Sequence, residues 1–98
     1  MSFLISLHDY WLLYEITVPP HILFCELTPA TEYFKFDQWE IPPELRHLPI
    51  DCRFAIFNPD RSLNEMIIKQ VHPDTLTYTL NIEPLKLIKH VLEQARKH

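Results

Sequence analysis

The chain has 98 residues, of which 47% are hydrophobic and 22% charged, and its formal net charge is −4. This length suits one domain over residues 1–98, and the composition is that of a folded chain rather than a disordered one. Basic residues gather only near the C-terminus. Because nucleic-acid binders present a basic surface to the phosphates, nucleic acid is disfavoured as a partner.

Glycine is absent from the chain, which contains nine prolines. Domains of this kind usually contain about 7% glycine. Without glycine the chain has no dinucleotide-binding fingerprint, no P-loop and no glycine-flanked nucleophile elbow. The composition therefore excludes these phosphate-binding and hydrolase motifs, and turns must be built from Pro, Asn and Asp.

No apolar run in the sequence is long enough to span a bilayer. The apolar start, residues 1–7, lacks the positive charge of a signal peptide and ends early at His8 and Asp9. We therefore expect a cytoplasmic protein with no membrane contact. In that compartment Cys25 and Cys52 are expected to be reduced, buried thiols.

The first part of the chain predicts two antiparallel strands. Residues 11–18 alternate between strongly and weakly apolar positions, which is typical of a strand, whereas residues 2–9 fit a strand or a helix. Pro19 and Pro20 break the first strand, and a second follows from His21 to Thr28. Residues 29–50 form a proline-rich, ordered excursion.

Within this excursion two alternatives stay open. Thr28 and Pro29 could begin a short helix, or Tyr33 to Asp37 could form a short edge strand. Residues 42–49 predict a single helical turn between prolines.

The second half of the chain predicts three more strands and a helix. The strands are residues 52–57, 66–71 and 76–82, with a turn at residues 58–62. The last strand has the clearest alternation: one face holds Leu76, Tyr78, Leu80 and Ile82, and the other holds Thr75, Thr77, Thr79 and Asn81.

Residues 84–97 predict a C-terminal helix that begins at Pro84. Proline at the first helical position removes no intrahelical hydrogen bond. The apolar stripe has helical spacing and consists of Leu85, Leu87, Ile88, Val91, Leu92 and Ala95. The expected fold class is α+β, a mostly antiparallel β-meander of about five strands with this amphipathic helix packed on the sheet.

The residues that could carry chemistry form no site pattern. A zinc site would need His21, Cys25 and Cys52 to meet, yet the chain lacks the closely spaced ligand pairs typical of zinc proteins. A thiolate nucleophile is disfavoured by the acidic neighbours Glu26 and Asp51. The sequence therefore predicts no metal, no cofactor and no catalytic residue.

Two histidines stand near carboxylates, in His8-Asp9 and in His72-Pro73-Asp74. A general base requires such a neighbour. Both pairs lie at predicted strand ends or turns, where Asp is favoured because it bonds nearby backbone amides. Turn chemistry is therefore the preferred interpretation, and it favours a protein that is not an enzyme.

The candidate binding residues are large apolar side chains without evident cover. Trp11 and Leu13 share the less apolar face of the first strand, and Tyr33 and Trp39 lie in the excursion. Exposed aromatic residues are typical anchors of protein interfaces. Our leading hypothesis is a non-enzymatic protein–protein interaction module or small accessory subunit. Its expected partner is a protein, either a different chain or a second copy in a homodimer.

Two other functions stay open from the sequence. A small-molecule-binding or catalytic domain would use a pocket between the sheet and the excursion. Nucleic-acid binding would use the C-terminal helix. The pocket would be lined by Tyr14, Phe24, Tyr78 and one of His21, His47 or His72.

Overall fold

A computed structural model describes residues 9–32 and 36–96, apart from the side chains of Gln38, Ala95 and Arg96. The predicted segment 2–9 lies outside this range except for Asp9. The described residues form four strands, β1 (Trp11–Val18), β2 (His21–Pro29), β3 (Ile50–Phe57) and β4 (Leu63–Val71), and one α-helix, α1 (Leu76–Arg96). Short 3₁₀ turns occupy Gln38–Glu40, Pro43–Leu45 and Pro73–Thr75.

The strands form one antiparallel sheet in the order β2-β1-β3-β4. The α+β class, the antiparallel sheet and the C-terminal helix are thus confirmed, with four strands where about five were predicted. The strand order corrects the predicted meander, because β1 rather than β2 pairs with β3. In β1 every second residue is buried, as its alternation predicts, and these residues are Leu12, Tyr14, Ile16 and Val18. We call the sheet face that carries them the core face and the opposite face the open face.

The missing fifth strand is a correction: residues 76–82 are helical, and Pro84 lies inside α1 rather than at its start. Leu76 and Leu80 are four residues apart, so they fit the period of a strand and that of a helix equally well. Tyr78 separates the two interpretations. A strand would bury it beside Leu76 and Leu80, whereas it is 53% exposed and both leucines are buried.

Burial along α1 follows helical spacing from its first residue to Val91. The buried residues are Leu76, Thr79, Leu80, Glu83, Pro84, Leu87, Ile88 and Val91. Proline in a helix interior removes one backbone donor, which is why it more often marks a helix start. Here the fully buried Pro84 contributes to the core instead.

Helix α1 packs across the core face over β3 and β4. Two contacts along its length join it to β4: the Lys69 ammonium lies 2.7 Å from the Glu83 carboxylate, and the His90 ring nitrogen lies 3.2 Å from the Glu65 carboxylate. Lys69 and Glu65 pair across the sheet with core-face positions of β3. The helix therefore covers the β3–β4 half of the core face and does not pack on the open face.

The excursion covers the other half of the core face. Phe36 packs on Phe24 of β2 with ring centroids 5.3 Å apart, and Ile41 is buried nearby in the same core. The 3₁₀ turn Pro43–Leu45 confirms the predicted helical turn between prolines. A helix beginning at Thr28 is wrong, because β2 continues to Pro29. The alternative strand from Tyr33 to Asp37 lies largely outside the described residues.

The predicted turn at residues 58–62 is confirmed. The Asn58 amide donates to the Ser62 carbonyl, and the Asp60 carboxylate accepts from the Ser62 amide at 2.9 Å. In a chain without glycine, Arg61 occupies the left-handed backbone region with φ at 71°. An L-residue there costs about 1–2 kcal/mol.

Neither α1 nor a shorter helix among the described residues combines the length and apolarity of a membrane span.

Candidate interaction surface

The open face consists of four rows of side chains that run across the strands. The strand register defines each row in the order β2, β1, β3, β4. We call the first two rows the apolar end: Pro29, Trp11, Phe57 and Leu63, then Leu27, Leu13, Ala55 and Met66. The charged row follows, with Cys25, Glu15, Arg53 and Ile68, and then the polar row, with Ile22, Thr17, Asp51 and Gln70.

Large apolar side chains on this face are exposed to solvent. Leu27 is 52% exposed, Leu63 50%, Met66 42% and Ile68 64%. A single exposed leucine is ordinary, because much of any protein surface is apolar. A contiguous apolar patch larger than a few hundred Å² is uncommon on a monomer, and it indicates a site of protein contact.

A groove of about 160 Å³ opens in the apolar end, lined by Trp11, Leu27, Phe57 and Arg61. Its walls come from β1, β2, β3 and the β3–β4 turn, so the fold forms it without a further element. The left-handed backbone of Arg61 is the one strained position on its rim.

The charged row crosses the middle of the open face. Glu15 lies between two neighbours: its carboxylate is 3.9 Å from the Arg53 guanidinium and accepts a hydrogen bond from the Cys25 thiol at 4.0 Å. Both charged side chains keep contact with solvent, with 44% of Arg53 and 29% of Glu15 exposed. An exposed ion pair of this kind stabilises a fold by about 0–1 kcal/mol. Its contribution to folding stability therefore does not explain why these two charges lie on the open face.

The two cysteines lie on opposite faces of the sheet. Cys52 is buried on the core face as predicted, but Cys25 is exposed on the open face, which corrects the expectation of a buried thiol. Burial, with a smaller contribution from Asp51, raises the pKa of Cys52 to about 12. Strand β1 separates the two cysteines, so His21, Cys25 and Cys52 cannot share one ion. No group of three potential metal ligands occurs in the described part of the chain.

We expect the two thiols to react at very different rates. At neutral pH the raised pKa leaves Cys52 with about a thousandfold less thiolate than an ordinary thiol, and its burial blocks access. In dilute native protein a disulfide reagent should modify Cys25 rapidly and Cys52 only after denaturant is added. Mass spectrometry of the modified peptides measures the rate of modification at Cys25 and at Cys52. Equal rates in native protein would contradict this geometry.

The predicted histidine-containing pocket is not assembled: Phe24 packs against the same core as Tyr14, but the other residues proposed for it lie at the surface. Tyr14 is buried against Phe54, whereas Tyr78 is exposed on α1, where its hydroxyl accepts a hydrogen bond from Lys86. The three candidate histidines, His21, His47 and His72, are all exposed. This arrangement gives the pocket hypothesis no support.

The four predicted interface residues separate in the structure. Trp11 and Leu13 lie together in the apolar end, half-buried. Trp39 is 68% exposed but lies in a second groove beside Arg46, whose guanidinium is 5.2 Å from its ring centroid. Tyr33 lies outside the described residues.

Sequence reasoning missed the residues that share the apolar end with Trp11 and Leu13, above all Leu27 and Phe57 on the neighbouring strands and Met66 on β4. The spacing of apolar residues in the sequence shows which residues share a face of one strand, but not which strands are neighbours in the sheet. What the surface offers a ligand is apolar area and one pair of opposite charges.

Comparison of the chain with protein-family models, with curated proteins and with solved structures finds no match.

Proposed function

We propose that this protein is a non-enzymatic interaction module that self-associates through the open face of its sheet. The observation that carries the proposal is the continuity of the apolar end across all four strands. A sheet with one apolar face packed on a helix normally exposes polar residues on the other face. Here Leu27, Leu63 and Met66 occupy that face instead.

The size of the face supports a second copy as the partner. Four strands of about eight residues present roughly 500 Å² in projection, at about 4.8 Å between strands and 3.3 Å per residue. A corrugated surface exposes more than its projection, so the whole face approaches the roughly 800 Å² per partner of a stable interface. The apolar end alone is about half as large, comparable to a weak contact. Stable association therefore needs the charged row as well.

A matched pair of leucine substitutions tests the proposal. Leu27 on the open face and Leu85 on α1 are exposed to similar extents, 52% and 47%. We expect the wild type to sediment as a dimer at micromolar concentration. Leu27→Lys should weaken the dimer at least about tenfold, because it places a charge in a desolvated apolar contact. Leu85→Lys should leave it unchanged.

Analytical ultracentrifugation over a range of concentrations gives the dissociation constant of each variant. A wild type that stays monomeric up to high micromolar concentration would refute self-association. A dimer weakened by Leu85→Lys rather than Leu27→Lys would place the interface on α1 and refute the assignment to the open face.

A further inference from the structure

We infer that the second copy packs face to face about a two-fold axis parallel to the strands, along the seam between β1 and β3, so that Glu15 of each copy pairs with Arg53 of the other. This inference rests on the proposed self-association and specifies its geometry. It is carried by two features of the open face, namely the order of its rows and the position of its charges.

The order of the rows selects the direction of the axis. The open face runs from the apolar end through the charged row to the polar row with Thr17 and Asp51. A two-fold axis perpendicular to the strands would place the apolar end of one copy on the polar row of the other, which would desolvate polar groups against apolar side chains. An axis parallel to the strands places each row on its own counterpart.

The charges select the position of that axis. If the axis passed through β1, Glu15 would face Glu15 of the second copy. If it passed through β3, Arg53 would face Arg53 of the second copy. Either arrangement places like charges together as solvent leaves, which disfavours association. On the seam between β1 and β3, each Glu15 faces an Arg53 of the second copy. The two existing Glu15–Arg53 pairs then form a closed square of alternating charge.

The architecture of the sheet agrees with the same axis. In the order β2-β1-β3-β4 the seam between β1 and β3 is the midline, so a two-fold axis there overlaps the two faces completely. Strand β2 then lies over β4 of the second copy. The apolar contacts become Trp11 over Phe57, Leu27 over Met66 and Cys25 over Ile68 of the second copy. Two twisted sheets stacked in this way form an aligned β-sandwich.

Charge-reversal variants test the pairing. Arg53→Glu and Glu15→Arg each give a charged row of one sign, so each variant alone should form a dimer at least about tenfold weaker than the wild type. An equimolar mixture of the two should recover the dimer, because every negative row then meets a positive one. Recovery cannot come from the intramolecular pair, which both variants lack.

Lys89→Glu on the exposed side of α1 reverses the same charge away from the open face and should leave the dimer unchanged. Denaturation midpoints of both single variants confirm that they fold. If the wild type dimerises and the single variants dimerise equally well, the pairing is refuted while self-association stands. A monomeric wild type refutes the proposed function first.

Thiol reactivity gives a second readout on the unaltered chain. Cys25 belongs to the charged row and would be covered by Ile68 of the second copy. Its alkylation should therefore slow as the wild-type concentration rises through the dissociation constant, and stay fast in Leu27→Lys. A rate independent of concentration in a protein that dimerises would refute the inferred overlap.

Discussion

Replacing Leu80 by alanine should destabilise this protein by about 2–5 kcal/mol, the usual cost of truncating a fully buried leucine. Leu80 is 1% exposed and lies on the side of α1 that packs against the sheet. Leu85→Ala on the same helix should cost less than about 1 kcal/mol, because that side chain is already half in water. Helix propensity cancels in the comparison, since both changes replace leucine by alanine inside α1.

Urea unfolding followed by circular dichroism measures both free energies of unfolding. Tyr78→Ala adds the decisive control. If residues 76–82 formed a strand with Tyr78 beside Leu80 in the core, its truncation would cost as much as that of Leu80. In the helix its ring is exposed and lies beside the Lys86 ammonium on the solvent side of α1. A large loss for Tyr78→Ala would contradict the helical assignment.

The contrast between residues 11–18 and 76–82 shows what alternation in a sequence can and cannot decide. Both segments alternate, but 11–18 is enriched in β-branched and aromatic residues (Trp11, Tyr14, Ile16, Thr17 and Val18), and Pro19 ends the pattern. In 76–82 the alternating threonines fit either structure, and the helical stripe continues beyond Pro84 to Val91. Because proline favours the first helical position, the sequence predicts a helix start at Pro84 and so divides one helix into a strand and a helix.

The sequence allows the exposed residues of a single strand to be predicted, but not the surface that several strands form together. Trp11 and Leu13 could be recognised because their face of β1 is the less apolar one. Leu27 and Met66 could not be added to them, since a period of two gives no information about which strands pair. The burial of Cys52 follows from its alternation with Phe54 and Ile56 on one side of the strand. The exposure of Cys25 does not, because its strand β2 is an edge strand whose central residues are largely open to solvent.

The position of α1 explains why a small domain would expose so much apolar area. The helix and the excursion both lie on the core face, so nothing in the described part of the chain packs over the apolar end. A domain of about one hundred residues buries a limited fraction of its surface, and association is a common way to bury more. The proposed self-association would link stability to association, so that the apparent stability rises with protein concentration.

The second large effect concerns two phenylalanines of β3 that lie on opposite faces. Phe54 is fully buried on the core face and packs edge-on against Tyr14, with ring centroids 5.3 Å apart and planes at 87°. Phe54→Ala should destabilise the chain by about 3–5 kcal/mol, combining the loss of buried area with a cavity. Part of that loss is the aromatic contact, which contributes about 0.5–1.5 kcal/mol.

Phe57→Ala is the matched control, because Phe57 is half-buried in the groove of the apolar end. Measured at low concentration, where the chain is monomeric, its cost should be less than half that of Phe54→Ala. Since Phe57 is inferred to face Trp11 of the second copy, its truncation should chiefly weaken the dimer. Phe54→Leu provides a milder core variant, with an expected cost below about 2 kcal/mol, should Phe54→Ala fail to fold. Equal losses of monomer stability at Phe54 and Phe57 would mean that the open face is itself a core surface, and would contradict both the fold assignment of that face and its role in association.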